Sequence, residues 1–128
     1  MDLNKLTEKS QDALRSAQSI AVQNANNQLD ALHLFAALLR QEQGLVPSLF
    51  KKAAVPLDTF SLRVVQELDK LPKVSNPQGA DSLYVTTGLT KVVSDAEAEA
   101  KRLKDDYVSV EHLLLAFTGD PGSSGKLL

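Results

Sequence analysis

The sequence contains no cysteine, which excludes disulfides, thiol catalysis, zinc–thiolate sites and iron–sulfur clusters. Tryptophan is absent too, there are only two tyrosines and four phenylalanines, and no segment alternates apolar with polar residues, so β-structure has little support. No apolar run reaches the roughly 20 residues that cross a bilayer. The opening MDLNKLTEKS lacks the apolar stretch of a secretory leader, and the resulting expectation is a cytoplasmic protein with no membrane role. Neither sign of charge dominates. Net charge is −2 with Lys and Arg spread along the chain, which argues against nucleic-acid or membrane binding through bulk charge. What is present, 128 residues that are 43% hydrophobic and 23% charged, fits one compact domain able to bury about two-thirds of its unfolded surface.

Apolar residues recur with a period near 3.6 almost throughout. Ala13, Leu14, Ala17, Ile20 and Ala21 share one helical face behind Thr7, whose hydroxyl suits an N-cap. The polar run Asn24–Gln28 ends that helix. Asp30 caps a second helix, with Leu29 as its staple, a stripe of Leu32, Phe35, Leu38 and Leu39, and Gly44 suited to its C-cap. Pro47 fits the first turn of a short third helix with Leu49 and Phe50. Pro56 opens a fourth, whose stripe is Leu57, Phe60, Val64, Leu68 and Leu71, and Pro72 stops it. Asn76-Pro77 and Gly79 mark a linker. Thr86 caps a fifth helix carrying Leu89, Val92, Val93, Ala96, Ala100 and Leu103, and Ser109 caps a sixth from Val110 to about Phe117. The tail GDPGSSGKLL reads as a loop and the first turn of an unfinished helix.

The most informative feature is self-similarity at a constant offset of 79 residues. Thr7, Ala17, Ala21, His33, Leu34 and Ala37 recur as Thr86, Ala96, Ala100, His112, Leu113 and Ala116. Leu6, Leu14, Leu29, Phe35 and Leu38 recur as Val85, Val93, Val108, Leu114 and Phe117, and the cap Asp30 as Ser109. The expected architecture is all-α: two helical repeats related by a pseudo-twofold and packed through their apolar stripes. Repeat one covers about 6–71, a linker 72–84, and repeat two 85–128. By the same offset a complete second copy would end near residue 150, so the second repeat reads as truncated and the chain as a fragment of a longer protein.

Catalytic and metal chemistry find little support. The tail's Gly125-Lys126 has Asp120 where a phosphate-binding loop needs its first glycine, and Leu127 where it needs a hydroxyl. His33 and His112 each stand three residues after an N-cap. They are expected to be at least partly buried at equivalent places and to hold no metal, since no HExxH or similar spacing exists. Residue types alone would permit a Ser/His/Asp set, but there is no nucleophile elbow. Asp105, Asp106 and Glu111 flank the loop between helices five and six, as solvated acids or as an acidic rim beside a partner surface. Leu89, Leu103 and Tyr107 break the internal symmetry, standing where the first copy has Ser10, Asn24 and Gln28. Such departures are either asymmetric core filling or exposed apolar surface for a ligand.

The unit L-T-x-x-S-x-x-A-L-x-x-A, its Asn-rich loop and L-D-A-L-H-L-F-A-A-L-L, with the second copy D-D-Y-V-S-V-E-H-L-L-L-A-F, resemble the N-terminal domain of the Clp ATPases. Leu71-Pro72 with the linker after it, and the opening LNKLTEKSQDAL, point to the ClpB-type disaggregases over ClpA or ClpC. The resemblance implies an all-α domain of two four-helix repeats without catalysis of its own, flexibly joined to hexameric AAA+ rings. ATP and magnesium would bind those rings, and this chain would need no cofactor. It implies that the domain engages unfolded or aggregated polypeptides through an apolar groove with polar edges. The family's substrate-linked threonine falls on Thr7 and its acidic pair on Asp105 and Glu111. The expected substrate-binding set is thus Thr7, Leu89, Leu103, Asp105, Tyr107 and Glu111, on a domain that is monomeric in isolation. The alternative is the N-domain of a Clp protease unfoldase, whose main ligands are adaptor proteins.

Overall fold

The computed structural model describes residues 3–41, 44–74 and 83–118. The tail expected to be a loop and helical turn, and residues 75–82 of the expected linker, lie outside them. Six α-helices occur among the described residues: α1 (Glu8–Gln23), α2 (Ala31–Arg40), α3 (Leu45–Lys52), α4 (Leu57–Asp69), α5 (Thr87–Arg102) and α6 (Val110–Thr118). The caps stand where residue chemistry places them. Thr7 Oγ1 accepts the Ser10 N–H at 3.2 Å, and Thr86 Oγ1 accepts the Leu89 N–H at 3.1 Å. Asp30 accepts from the Leu32 N–H in a capping box whose third position is His33, in place of the usual Glu or Gln. The offset of the sequence repeat carries the limits of α1 onto those of α5.

Gly44 corrects one expectation. α2 ends at Arg40 with Gln41 as its C-cap, and Gly44 is instead the N-cap of α3 at an ordinary φ of −79°. Glycine is required there by space: a Cβ would lie 2.8 Å from the Gln41 Cβ and 3.1 Å from its carbonyl oxygen. The left-handed turns fall to Ala25, Ala54 and Lys104 (φ 57°, 57° and 61°). Ala25 and Lys104 are 79 positions apart, so the strained turn is itself repeated.

Two short parallel pairings join the halves. β1 (Gln28–Leu29) pairs with β2 (Tyr84–Val85), matching Leu29 to Val85, and an isolated parallel bridge matches Leu6 to Val108. The offset turns one pair into the other, because Leu6 corresponds to Val85 and Leu29 to Val108. The cross-bonds are equally reciprocal. The Thr86 N–H donates to the Leu29 carbonyl and the Thr7 N–H to the Val108 carbonyl, both at 3.0 Å. A twofold relation demands this reciprocity.

Within each half a hairpin, α1 with α2 and α5 with α6, buries its facing stripes, and α2 meets α5 and α3 meets α6 across the seam. Residues Ala31 to Leu39 of α2 are all buried, as befits its place at the centre. The chain's four phenylalanines form one cluster. Phe35 lies edge-on to Phe117 (5.2 Å between ring centres) and to Phe60 (5.9 Å), and Phe60 to Phe50 (4.9 Å), the edge-to-face geometry that ring quadrupoles favour. Phe117 comes from the second half and the other three from the first.

Candidate functional site

The two histidines define equivalent corners. His33 Nδ1 accepts the Asp30 N–H at 2.9 Å, and His112 Nδ1 accepts the Ser109 N–H at 2.8 Å. A backbone N–H on Nδ1 leaves the ring proton on Nε2. That proton goes to Asn26 Oδ1 from His33 and to Asp105 Oδ2 from His112, each at 2.9 Å. Both rings are buried, as the sequence suggested. Asp105, Glu111 and His112 bring potential ligand atoms within 4.8 Å of one another. However, the tautomer makes Nε2 a donor toward Asp105, with no lone pair for a metal, and the geometry is that of a hydrogen-bonded histidine–carboxylate pair.

Burial holds the His33 pKa below its ordinary value of 6.5, and the nearby Asp30 charge pulls the other way without prevailing. Because the folded value is depressed, the unfolded chain binds this proton more readily. The stability that neutral His33 contributes is complete above 6.5 and is lost as pH falls below it toward the folded value. His33→Gln keeps a capping-box side chain at that position and removes the titration. Its melting temperature is therefore expected to fall less than the wild type's between about pH 7.5 and about pH 5. Thermal scans of both proteins at several pH values check this, and parallel slopes would count against it.

Where the two copies differ, the second is open. Asn26 and Leu32 are buried (3% and 1% exposed), whereas their counterparts Asp105 and Glu111 are exposed. Thr7 and Glu111 share an open cavity of about 320 Å³ at the seam, together with Lys9, Gln41, Gly44, Leu45, Ser109 and Val110. Asp105 borders a separate cleft of about 560 Å³ with Lys5, Ser94, Glu97, Lys101 and Asp106. Glu111 links the two: it lines the cavity with Thr7, and its carboxylate lies within 4.8 Å of that of Asp105. Leu103 and Tyr107, 46% and 57% exposed, lie on the loop that carries Asp105.

Leu89 is a correction. It is fully buried in the first turn of α5, so its departure from the pattern is core filling and it takes no part in a surface. Its counterpart Ser10 is also buried, but as a polar link: its hydroxyl donates to the Val108 carbonyl at 3.0 Å and accepts from Thr7 Oγ1 at 3.0 Å. Thr7 therefore caps α1 and braces the seam, as Thr86 caps α5 and donates to Asp30 Oδ1 at 2.9 Å. The sequence reading missed Lys9, Gln41, Gly44 and Leu45 as cavity walls, and nothing in their pattern marks them. It also missed the pairing of Asn26 with Asp105, which the 79-residue offset does contain.

The profile of the Clp repeat (R) N-terminal domain matches residues 5–128. Over 125 residues the chain is 44% identical to the chaperone protein ClpB of Nitratidesulfovibrio vulgaris, and over 129 residues 40% identical to that of Bacillus cereus. These matches take in 97% and 99% of this chain but 14% and 15% of those proteins. The chain thus spans about one seventh of the length of the curated relatives it matches. The Hsp104 N-terminal domain from Candida albicans superposes with a TM-score of 0.85 at 28% identity, over 96% of this chain and 79% of that one. The N-terminal domain of an E. coli ClpV1 ATPase gives 0.82 at 21% identity, over 98% and 72% of the two chains, a likeness of fold alone. With the profile spanning both halves and the duplicated corners intact, the chain belongs to the Clp repeat (R) N-terminal domain family.

Proposed function

We propose that this domain is the client-engaging module of a ClpB-type disaggregase and holds exposed segments of unfolded or aggregated polypeptides. The ATP and magnesium chemistry would reside in other parts of a hexameric parent. The observation that carries this reading is the asymmetry of the two copies. One corner is closed by buried Asn26 and Leu32, and its counterpart presents exposed Asp105, Tyr107 and Glu111 beside the Thr7 cavity. A receptor for many unrelated chains needs an open surface with apolar and polar contacts side by side, not a deep shaped pocket. Leu103 and Tyr107 supply the apolar part, Thr7, Asp105 and Glu111 the polar edge. Adaptor proteins are the second class of ligand for such domains, but the relatives at 40–44% identity are ClpB chaperones, which favours the first.

Ordering a flexible client costs entropy, so affinity for one domain should be micromolar or poorer, about −8 kcal/mol or less in magnitude. Several domains on one ring would compensate by avidity. The combined change Tyr107→Ser and Glu111→Gln is expected to weaken binding of a permanently unfolded polypeptide by about ten-fold while leaving the melting temperature nearly unchanged. A fluorescence titration with a thermal scan of each protein checks it, and undiminished affinity would remove these residues from the site. Thr7→Ala is a poor test, because losing the cap alone costs about 1 kcal/mol. Thr7→Ser keeps the cap.

A further inference from the structure

α1 and α2 leave another open cavity between them, of about 250 Å³, lined by Ser16, Ser19, Ile20, Ala37, Arg40 and Gln41. The spacing i, i+3, i+4 brings the first three onto one face of α1, and the last three onto one face at the end of α2. Ile20 and Ala37 are buried and give the cavity an apolar floor. Ser16, Ser19 and Arg40 are exposed and give it a polar rim. Neither serine hydroxyl nor the Arg40 guanidinium has a partner among the described residues, whereas Arg15 and Arg102 are paired with Asp12 and Glu99. No acid among the described residues lines the cavity. The 79-residue offset makes this particular to the first half. Ser16 and Ile20 correspond to Asp95 and Glu99, carboxylates that Lys91 and Arg102 already neutralise. The end of a helix favours a cation in any case. That accounts for Arg40, but not for hydrocarbon and free hydroxyls beside it where the other half has acids.

We propose that this cavity is a subsite for the C-terminal residue of a polypeptide whose last side chain is aliphatic. The terminal carboxylate pairs with the Arg40 guanidinium, in the bidentate geometry that its planar fork allows, and accepts from the Ser16 and Ser19 hydroxyls. The aliphatic side chain lies on Ile20 and Ala37. Charge complementarity selects an anion, and the floor selects its source. An aspartate or glutamate side chain brings the carboxylate without hydrocarbon to cover the floor, whereas a chain end carries both groups on one α-carbon. The subsite shares only Gln41 with the Thr7 cavity, and it goes beyond the client-receptor reading without depending on it.

The probe is N-acetyl-leucine, titrated into the isotope-labelled domain and followed by amide NMR shifts. Shifts at 16–20 and 37–41 are expected. N-acetyl-leucinamide has the same shape without the charge and should bind about five-fold more weakly, the upper end for an exposed ion pair. N-acetylglycine should also lose about five-fold, for hydrocarbon left unburied. Arg40→Gln should bring the acid down to the affinity of the amide with the fold intact by circular dichroism, and Arg40→Lys should retain part of the preference. Ser16→Asp, which installs the residue of the second half, should abolish it. Equal binding of acid and amide, acid binding undiminished in Arg40→Gln, or shifts confined to other residues would each overturn the proposal. So would N-acetylglutamate α-amide binding as tightly as N-acetyl-leucine, which would make an acidic side chain the occupant, or sodium acetate doing so, which would leave a nonspecific anion contact. The combined Tyr107→Ser and Glu111→Gln protein separates the two readings, because it should bind N-acetyl-leucine as the wild type does. Wild-type protein that ignores N-acetyl-leucine but binds an unfolded polypeptide sinks the subsite alone, and the reverse result sinks the receptor reading and leaves the subsite.

Discussion

Leu89→Gln is expected to destabilise the domain by about 3–5 kcal/mol, and its effect on client binding should follow from loss of the fold. The Leu89 side chain has no exposed surface and belongs to the continuous core. Gln fills a similar volume but brings two donors and an acceptor into a place lined by hydrocarbon. Each unpaired group retains most of its desolvation cost. For a domain of this size the change corresponds to a fall in melting temperature of about 10 °C or more. Leu89→Met, which conserves volume and polarity, should stay within about 1.5 kcal/mol. Thermal unfolding followed by circular dichroism separates the cases. A Leu89→Gln protein that melts like the wild type would mean that the residue faces solvent, and the surface reading of its asymmetry would return.

Phe35→Ala is the second large effect, at about 4 kcal/mol. Phe35 is fully buried in the central helix and touches Phe60 and Phe117 edge-on. Truncation removes the burial of a ring, the two quadrupole contacts, and the point where the first half grips the second. Because total stabilities of domains run about 5–15 kcal/mol, the variant should be marginal at room temperature. Phe35→Leu puts into the first half what Leu114 is in the second, and should recover more than half of the loss. Urea denaturation measures both. If Phe35→Ala costs less than about 1.5 kcal/mol, the cluster does not hold the halves together as described.

The helices were legible because caps and period agree. Thr7, Asp30 and Thr86 each stand one residue before a helix, and the duplication tests α1 against α5 and α2 against α6. The symmetry was legible for the same reason, down to the histidines. What stayed hidden depends on neighbours that sequence does not order in space. Leu89 shows that an apolar residue in place of Ser10 says only that the two environments differ, not which one faces water. Gly44 was misplaced because glycine's freedom at positive φ is the familiar reason for its use, whereas here the reason is the nearness of the Gln41 Cβ. The reciprocal strand pairs are two residues long or shorter, too little for any periodicity to register. Of the candidate site, the exposed Leu103 and Tyr107 could be named from their asymmetry, and the acids from the loop they flank and the family resemblance. The cavity walls could not, since Lys9 and Gln41 meet only through the packing of α1 against α2.

The reciprocal seam, in which each half offers the other what it receives, is the contact of a symmetric dimer written into a single chain. In a true dimer of identical subunits any substitution appears twice. A carboxylate that replaced the amide at one corner would replace it at both. Covalent linkage removes that constraint and also makes association independent of protein concentration. One half can then change without the other, and the differences between Asn26 and Asp105, and between Leu32 and Glu111, are changes that a dimer of identical subunits could not hold in one half alone.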